Sequence, residues 1–264
     1  MAEAERNVEA DIRALILSDI HANLPALEAV LAAAPQYDTV WNLGDVVGYG
    51  ANPNEVVDLA RKLGGIVVRG NHDRACSGTM EYYQYRNLSW LASYAADWTQ
   101  QVLTKENQLW LSKLRRGPLR PLGSSVLCVH GMPKYENEYL DNKWRAKSAL
   151  KASRAWITFF GHTHLQEGWI SDRQHPTLIR PNFQSTDGPE RFDVALGHNR
   201  RYLINPGSVG QPRDGDWRAA FAVYDDRESI LTWYRVPYKV MTAQRRIRRA
   251  GLPEVLASRL RDGK

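Results

Sequence analysis

Cysteine is nearly absent: Cys76 and Cys128 are the only two in 264 residues. Two thiols outside any CxxC spacing cannot staple a fold. A disulfide scaffold is therefore excluded, and both read as small buried apolar residues of a reducing compartment. Long apolar runs are missing as well. None approaches the roughly 20 residues of a membrane span, so no membrane partner is expected. Residues 1–11 mix charges without an apolar centre, which predicts no secretory signal and, over residues 1–10, a disordered tail. There is no internal repeat and no linker long enough to divide the chain. Residues 1–264 are read as one cytoplasmic domain, large enough to bury a sizeable core.

An acidic surplus is lacking too. The formal charge is +6 and the pI is near 9.3, which favours an anionic partner. Much of the excess comes from Arg245, Arg246, Arg248 and Arg249, within a C-terminal basic helix and tail over residues 240–264. Such a cluster reads first as one solvated helix face, so nucleic acid is an open but not a favoured partner. No feature of the pattern sets an oligomeric state.

What the chain does have is a 43% apolar fraction and nine tryptophans, the composition of a folded protein. Apolar runs at 12–17, 39–43, 66–69, 126–129 and 156–160 read as strands. Between the first three, one helix starts at Asn23 and Pro25 and stops at Pro35. A second, capped by Asn54, stops at Gly64-Gly65. Strand–helix–strand units of this kind place their strands in parallel. Residues 80–114 turn helical, with Trp90, Leu91, Tyr94, Ala95, Trp98 and Val102 at three- and four-residue intervals, read as core packing. A short helix starts at Thr104 and another covers 146–154. Strand-like pieces near 167–170, 202–205, 219–224 and 229–235 read as antiparallel, and 172–201 is assigned no structure.

Each of the five leading strands ends in residues that bind metals. Asp19 and His21 follow the first, Asp45 the second, Asn71 and His72 the third, His130 the fourth, and His162 and His164 the fifth. Where the chain stays extended, Asp19 and His21 face one way, as do His162 and His164. Ligands of open α/β sheets bind at that strand edge. A lone histidine at a strand end is usually structural; five strands delivering such residues to one edge are hard to obtain by accident. Carboxylate, imidazole and amide oxygen form a mixed N/O set suited to Mn²⁺, Fe, Zn or Ni. With His72 set aside, the remaining seven are too many for one tetrahedral ion and fit two ions sharing Asp45.

The order Asp19-x-His21, Gly44-Asp45-x-x-Gly48, Gly70-Asn71-His72-Asp73, His130 and Gly161-His162-Thr163-His164 resembles the calcineurin-like metallophosphoesterase superfamily. The stretches at 46–53 and 205–213 look like its small bacterial and archaeal branch. The resemblance implies an α/β fold of two stacked mixed β-sheets flanked by helices. It implies two divalent ions, manganese foremost and iron, zinc, nickel or magnesium as alternatives. One would be held by Asp19, His21 and His164, the other by Asn71, His130 and His162, with Asp45 bridging. His72 would face the scissile phosphate and Asp73 would orient its ring. A hydroxide between the ions would attack phosphorus directly, without a phosphoenzyme.

The activity implied is hydrolysis of a phosphodiester or phosphomonoester, with a small nucleotide-type substrate favoured. Dinucleoside polyphosphate hydrolysis, protein phosphatase activity and a catalytically weak scaffold are the alternatives. Asn23, Tyr49 and Asn52 fall in loops expected to rim the site. Arg213 is the phosphate-binding candidate, and Arg74 reads equally as a phosphate ligand or a surface ion pair.

Overall fold

β1 (Arg13–Leu17) is apolar at nearly every position because both its faces are covered. Leu15 and Leu17 join one apolar cluster, while Ala14 and Ile16 join another on the opposite face. The computed structural model describes residues 12–121, 125–172 and 175–264, so the tail expected over 1–10 lies outside the described residues. After β1 come α1 (Leu24–Ala33), β2 (Thr39–Asn42), α2 (Pro53–Leu63), β3 (Ile66–Val67) and α3 (Asn71–Ser77). Three helices follow, α4 (Tyr82–Tyr85), α5 (Trp90–Val102) and α6 (Lys105–Ser112). Then come β4 (Val126–Cys128), α7 (Lys143–Ala152), β5 (Ile157–Phe159), β6 (Gly168–Ser171), β7 (Pro176–Ile179), β8 (Glu190–Ala195) and β9 (Arg201–Ile204). The chain closes with β10 (Ala219–Asp225), β11 (Ile230–Val236), α8 (Val240–Arg249) and α9 (Glu254–Asp262).

The strands form two mixed sheets, as expected. One has the order β3-β2-β1-β10-β11-β8, the other β4-β5-β9-β6-β7. β1, β2 and β3 run parallel, with Ile16 opposite Trp41, and β4 and β5 run parallel in the second sheet. Ala14, Ile16, Trp41, Phe159, Ile204 and Trp233 fill the space between the sheets. The outer face of the first sheet meets α1, α2, α8 and α9 through residues such as Leu27, Val57, Ile247 and Leu256. The outer face of the second meets α7 through Phe160, Leu203 and Ala149. Among the described residues no helix is long and apolar enough to cross a membrane.

Several expectations need correction. α2 is capped by Asn52 with Pro53 in its first turn, while Asn54 instead donates to the Val102 carbonyl. α7 starts earlier than expected because Asn142 Oδ1 accepts from the backbone of Trp144 and Arg145. β9 is not purely antiparallel: it pairs in parallel with β5 and antiparallel with β6. The segment 172–201 contributes β7 and β8, and the expected C-terminal tail is the helix α9. On α5 the small residues Ala92, Ala95 and Ala96 face inward, whereas Trp90 is 66% exposed and Tyr94 42%. Helical spacing gave the right element and part of the right face, since Leu91, Ala95 and Trp98 do pack on the core.

Candidate metal centre

The strand ends do converge, though not by extended chain. Asp19, His21 and Ala22 adopt left-handed backbone angles, φ 53°, 48° and 51°, and His162 and His164 do the same. Such angles are uncommon outside glycine and mark a chain held by its surroundings. Here the loop after β1 is zipped onto the loop after β2. The amides of Asp19, His21 and Ala22 donate to the carbonyls of Gly44, Asp45 and Val46 at 2.9–3.0 Å. Asp19 and His21 therefore reach the site through a tight turn, a correction to the extended reading.

Two groups of potential ligands result. Asp19, His21, Asp45 and His164 form one; Asp45, His130 and His162 form the other, each with ligand atoms within 4.8 Å of one another. Asp45 belongs to both. Asn71, the first residue of α3, brings Oδ1 to 3.1 Å from His130 Nε2. In the first group His164 Nε2 lies 3.3 Å from Asp19 Oδ1 and 3.2 Å from His21 Nε2. In the second, His130 Nε2 lies 3.4 Å from Asp45 Oδ2.

The backbone fixes which nitrogen faces inward. His21 Nδ1 pairs with the Val47 carbonyl at 3.1 Å, His130 Nδ1 with Leu43 at 2.9 Å, and His164 Nδ1 with Gln211 at 2.6 Å. A carbonyl only accepts, so each Nδ1 carries a proton and each Nε2 faces the centre, where it has a lone pair for a metal once the ring is neutral. His162 is reversed: its Nε2 donates to the Asn137 carbonyl at 3.1 Å.

Electrostatics agree with a cation site. Burial, reinforced by the Asp45 charge, pushes Asp19 up to about 6. Burial likewise lowers His21, and with Arg213 nearby lowers His164, well below the ordinary imidazole value. Burial and His130 take His162 down to about 3. His130 runs the other way. Burial opposes its charge, yet Asp45 and Asp19 raise it to about 9. The fit to metal is tested most directly by two atoms. Asp19 Oδ1 and Asp45 Oδ2 are buried and have no hydrogen-bond partner among the described residues. A buried anionic oxygen left unpaired is costly, and a divalent ion would satisfy both. The donor set fits the group.

His72 lines an open cleft of about 370 Å³ beside this centre. Its Nδ1 is buried without a partner among the described residues, next to Gly48. A Cβ at Gly48 would lie 2.7 Å from that nitrogen. Burial, with Arg213 adding to it and Asp45 opposing, lowers His72 to about 4. Contrary to what the resemblance implies, Asp73 does not orient the His72 ring. Its carboxylate instead accepts from the amides of Gly70, Asp45, Val46 and Val47 at 2.8–3.3 Å, fixing the turn that presents Asp45.

Asn23 is likewise structural. It caps α1 through the Ala26 amide and donates to the Gly210 carbonyl, so its side chain is already engaged. Arg213 lines the cleft, donates to Gln211 Oε1, and lies near the ring of Tyr49. Arg74 is neither a surface residue nor a cleft ligand; it is buried and bonded to Gln84 and Asn137.

Sequence reasoning missed how Tyr49 is used. The ring packs on His72, with centroids 4.3 Å apart, and on His21 at 4.8 Å. Arg259 of α9 covers the same ring at 4.6 Å. No local pattern announces this contact, because 210 positions separate the two residues. The carbonyls that set the histidine tautomers were also hidden, since a backbone oxygen carries no residue identity.

A family model described as calcineurin-like phosphoesterase matches residues 12–208. The uncharacterized protein MJ0912 of Methanocaldococcus jannaschii is 33% identical over 258 residues, covering 93% of this chain and 96% of its own. A metallophosphoesterase structure from Sphaerobacter thermophilus is 41% identical with a TM-score of 0.80, covering 96% of this chain and all of that one. A 63-residue stretch, 22% of each chain, is 40% identical to a symmetrical bis(5'-nucleosyl)-tetraphosphatase of Pectobacterium carotovorum.

Proposed function

The chain belongs to the calcineurin-like phosphoesterase family, and from that premise we propose that it is a dinuclear metal-dependent hydrolase of a phosphodiester or phosphomonoester. A small nucleotide-type molecule is the favoured substrate and manganese the expected metal. Asp19, His21 and His164 would hold one ion, Asn71, His130 and His162 the other, and Asp45 both. The observation that carries this reading is the pair of buried oxygens of Asp19 and Asp45 that lack a hydrogen-bond partner among the described residues, ringed by imidazoles whose outer nitrogens are tied to carbonyls. The free, buried thiols of Cys76 and Cys128 support a reducing, cytoplasmic setting.

When bound, two divalent cations supply Lewis acidity at the phosphoryl oxygens and a lowered pKa for the attacking water. The chain's own groups do the rest. His72, at about 4, is neutral at pH 7; an anionic phosphoryl group beside it would raise its proton affinity so that it takes up a proton from solvent. It is then placed to give a proton to the leaving oxygen. Arg213 sets a guanidinium in the same cleft, offsetting charge on the phosphoryl group. Tyr49, pressed against His72, limits the positions its ring can take.

The test is hydrolysis of bis(p-nitrophenyl) phosphate and p-nitrophenyl phosphate with added Mn²⁺, with and without chelator, by wild type and Asp45→Asn. We expect metal-dependent turnover that falls at least about 100-fold in the variant. Turnover that survives complete removal of metal would overturn the proposal. Hydrolysis of a dinucleoside polyphosphate is a second reading, favoured by the short match to the tetraphosphatase. The same assay separates it, because that substrate would outpace both chromogenic esters.

A further inference from the structure

The cleft has a further wall, beside the ligand cluster, that the hydrolytic chemistry does not use. It is built by the segment around α4 and by the loop after β4, and Arg74 ties the two together. Arg74 is 5% exposed; its Nη1 donates to Gln84 Oε1 and its Nη2 to Asn137 Oδ1, each at 2.8 Å. Glu136 lies 3.7 Å from Nη1 and balances the charge. A guanidinium offers no acceptor. Both amide oxygens must therefore face it, however the amides are otherwise assigned. What Gln84 and Asn137 present to a ligand in the cleft is N–H donors. Gln84 Nε2 gives one hydrogen to the Tyr83 hydroxyl at 3.0 Å and keeps the other.

The surroundings narrow the ligand. Met80, Leu88 and Ala92 add apolar surface to the same wall. Tyr139 stacks on His162 with rings 4.3 Å apart and 17° from parallel, and it is 41% exposed. One face of its ring is thus held by a candidate metal ligand, and the outer face is available for stacking. Neutral donors beside apolar and aromatic surface suit a flat, uncharged ring bearing acceptors. A second phosphate would instead call for cations. The cleft volume of about 370 Å³ is within the range of small-molecule sites.

Resting on the phosphoesterase reading above, we propose that Gln84 and Asn137, oriented by Arg74, form a subsite that seats a nucleobase of the substrate. Their N–H groups donate to its ring carbonyls while Tyr139 stacks on its face. Arg74 acts here as a positioning residue, since it sets both amides without lining the cleft.

Binding tests this without relying on turnover. Uridine 5′-monophosphate and ribose 5-phosphate, both as non-hydrolysable methylenephosphonates, are titrated calorimetrically into the full chain with and without Mn²⁺. The wild type should prefer the uridine compound at least about tenfold. Gln84→Ala and Asn137→Ala should each cut that preference about threefold to tenfold. Arg74→Lys, which cannot hold both oxygens in one fork, should cut it as well. Equal affinities in the wild type, or a preference untouched in both alanine variants, would overturn the subsite. A base preference without hydrolysis of any phosphoester would sink the phosphoesterase reading and leave the subsite standing. Hydrolysis without a base preference would do the reverse.

Discussion

His130 is the residue whose charge is most at odds with its role. To hold a metal it must offer Nε2 unprotonated, yet Asp45 and Asp19 overcome burial and raise it to about 9. In the metal-free protein at pH 7 the proton therefore stays, as the counter-charge of Asp45. Asp19, at about 6, is already mostly ionised there. Metal uptake must expel the His130 proton, so binding should release about one proton at neutral pH. The sign follows directly: below about 9 protons compete with metal, and affinity rises as pH rises. We expect apparent Mn²⁺ affinity to increase about tenfold per pH unit between 6.5 and 8.5. Calorimetry in buffers of different ionisation enthalpy measures both quantities. Uptake with no proton release would mean that His130 is neutral before the metal arrives.

At the scale of elements, α3 matters more than its seven residues suggest. It starts at Asn71, so a candidate ligand, His72 and Asp73 all sit in its first turn. Gly70 precedes it because any Cβ there would lie 2.0 Å from Asp45 Oδ1. Asp73 then collects four backbone amides from two loops. Burial and the Asp45 charge push its carboxyl up to about 7, while those amides hold it down. Asp73→Asn places an amide N–H against amide donors. We expect a loss of about 2–4 kcal/mol in urea unfolding, together with lost turnover. A stable but inactive Asp73→Asn protein would instead assign Asp73 a direct part in the chemistry. The motif made this stretch legible as important, but not as a helix: seven residues are too few for a periodic signal. Thr104, by contrast, was a readable helix start whose side chain accepts from Asn107, while Ser89, which accepts from Ala92 at the start of α5, was not singled out. The exposed faces of Trp90 and Tyr94 were unreadable, because spacing fixes a stripe but not the direction of the core.

The whole molecule brings the site together from two sheets, and this explains what could be read in advance. Each strand end carries its own short motif, so the ligand types were visible locally. That Asp19 and Asp45 come from one sheet and His130, His162 and His164 from the other was not legible, because five strand ends carrying ligands read as one shared edge. The turn geometry and the carbonyls holding each imidazole appear only in three dimensions. The same arrangement has a consequence for stability. Without metal, two buried carboxylates of the first sheet face the imidazoles of the second, with two carboxylate oxygens lacking a hydrogen-bond partner among the described residues. With metal, those oxygens and the facing imidazoles become one cross-link between the layers. Ligand that binds only the folded state at about 100 times its Kd adds roughly 2.7 kcal/mol per site. For a chain of this size that is a rise in Tm of at least about 5 °C. We expect that rise on adding Mn²⁺ to chelator-treated protein, and its loss in Asp45→Asn, whose amide cannot bridge as an anion. Differential scanning calorimetry with metal analysis of the same samples decides it. Two bound ions with an unchanged Tm would mean that the unfolded chain binds them as well as the folded one, and would overturn a centre built by the fold.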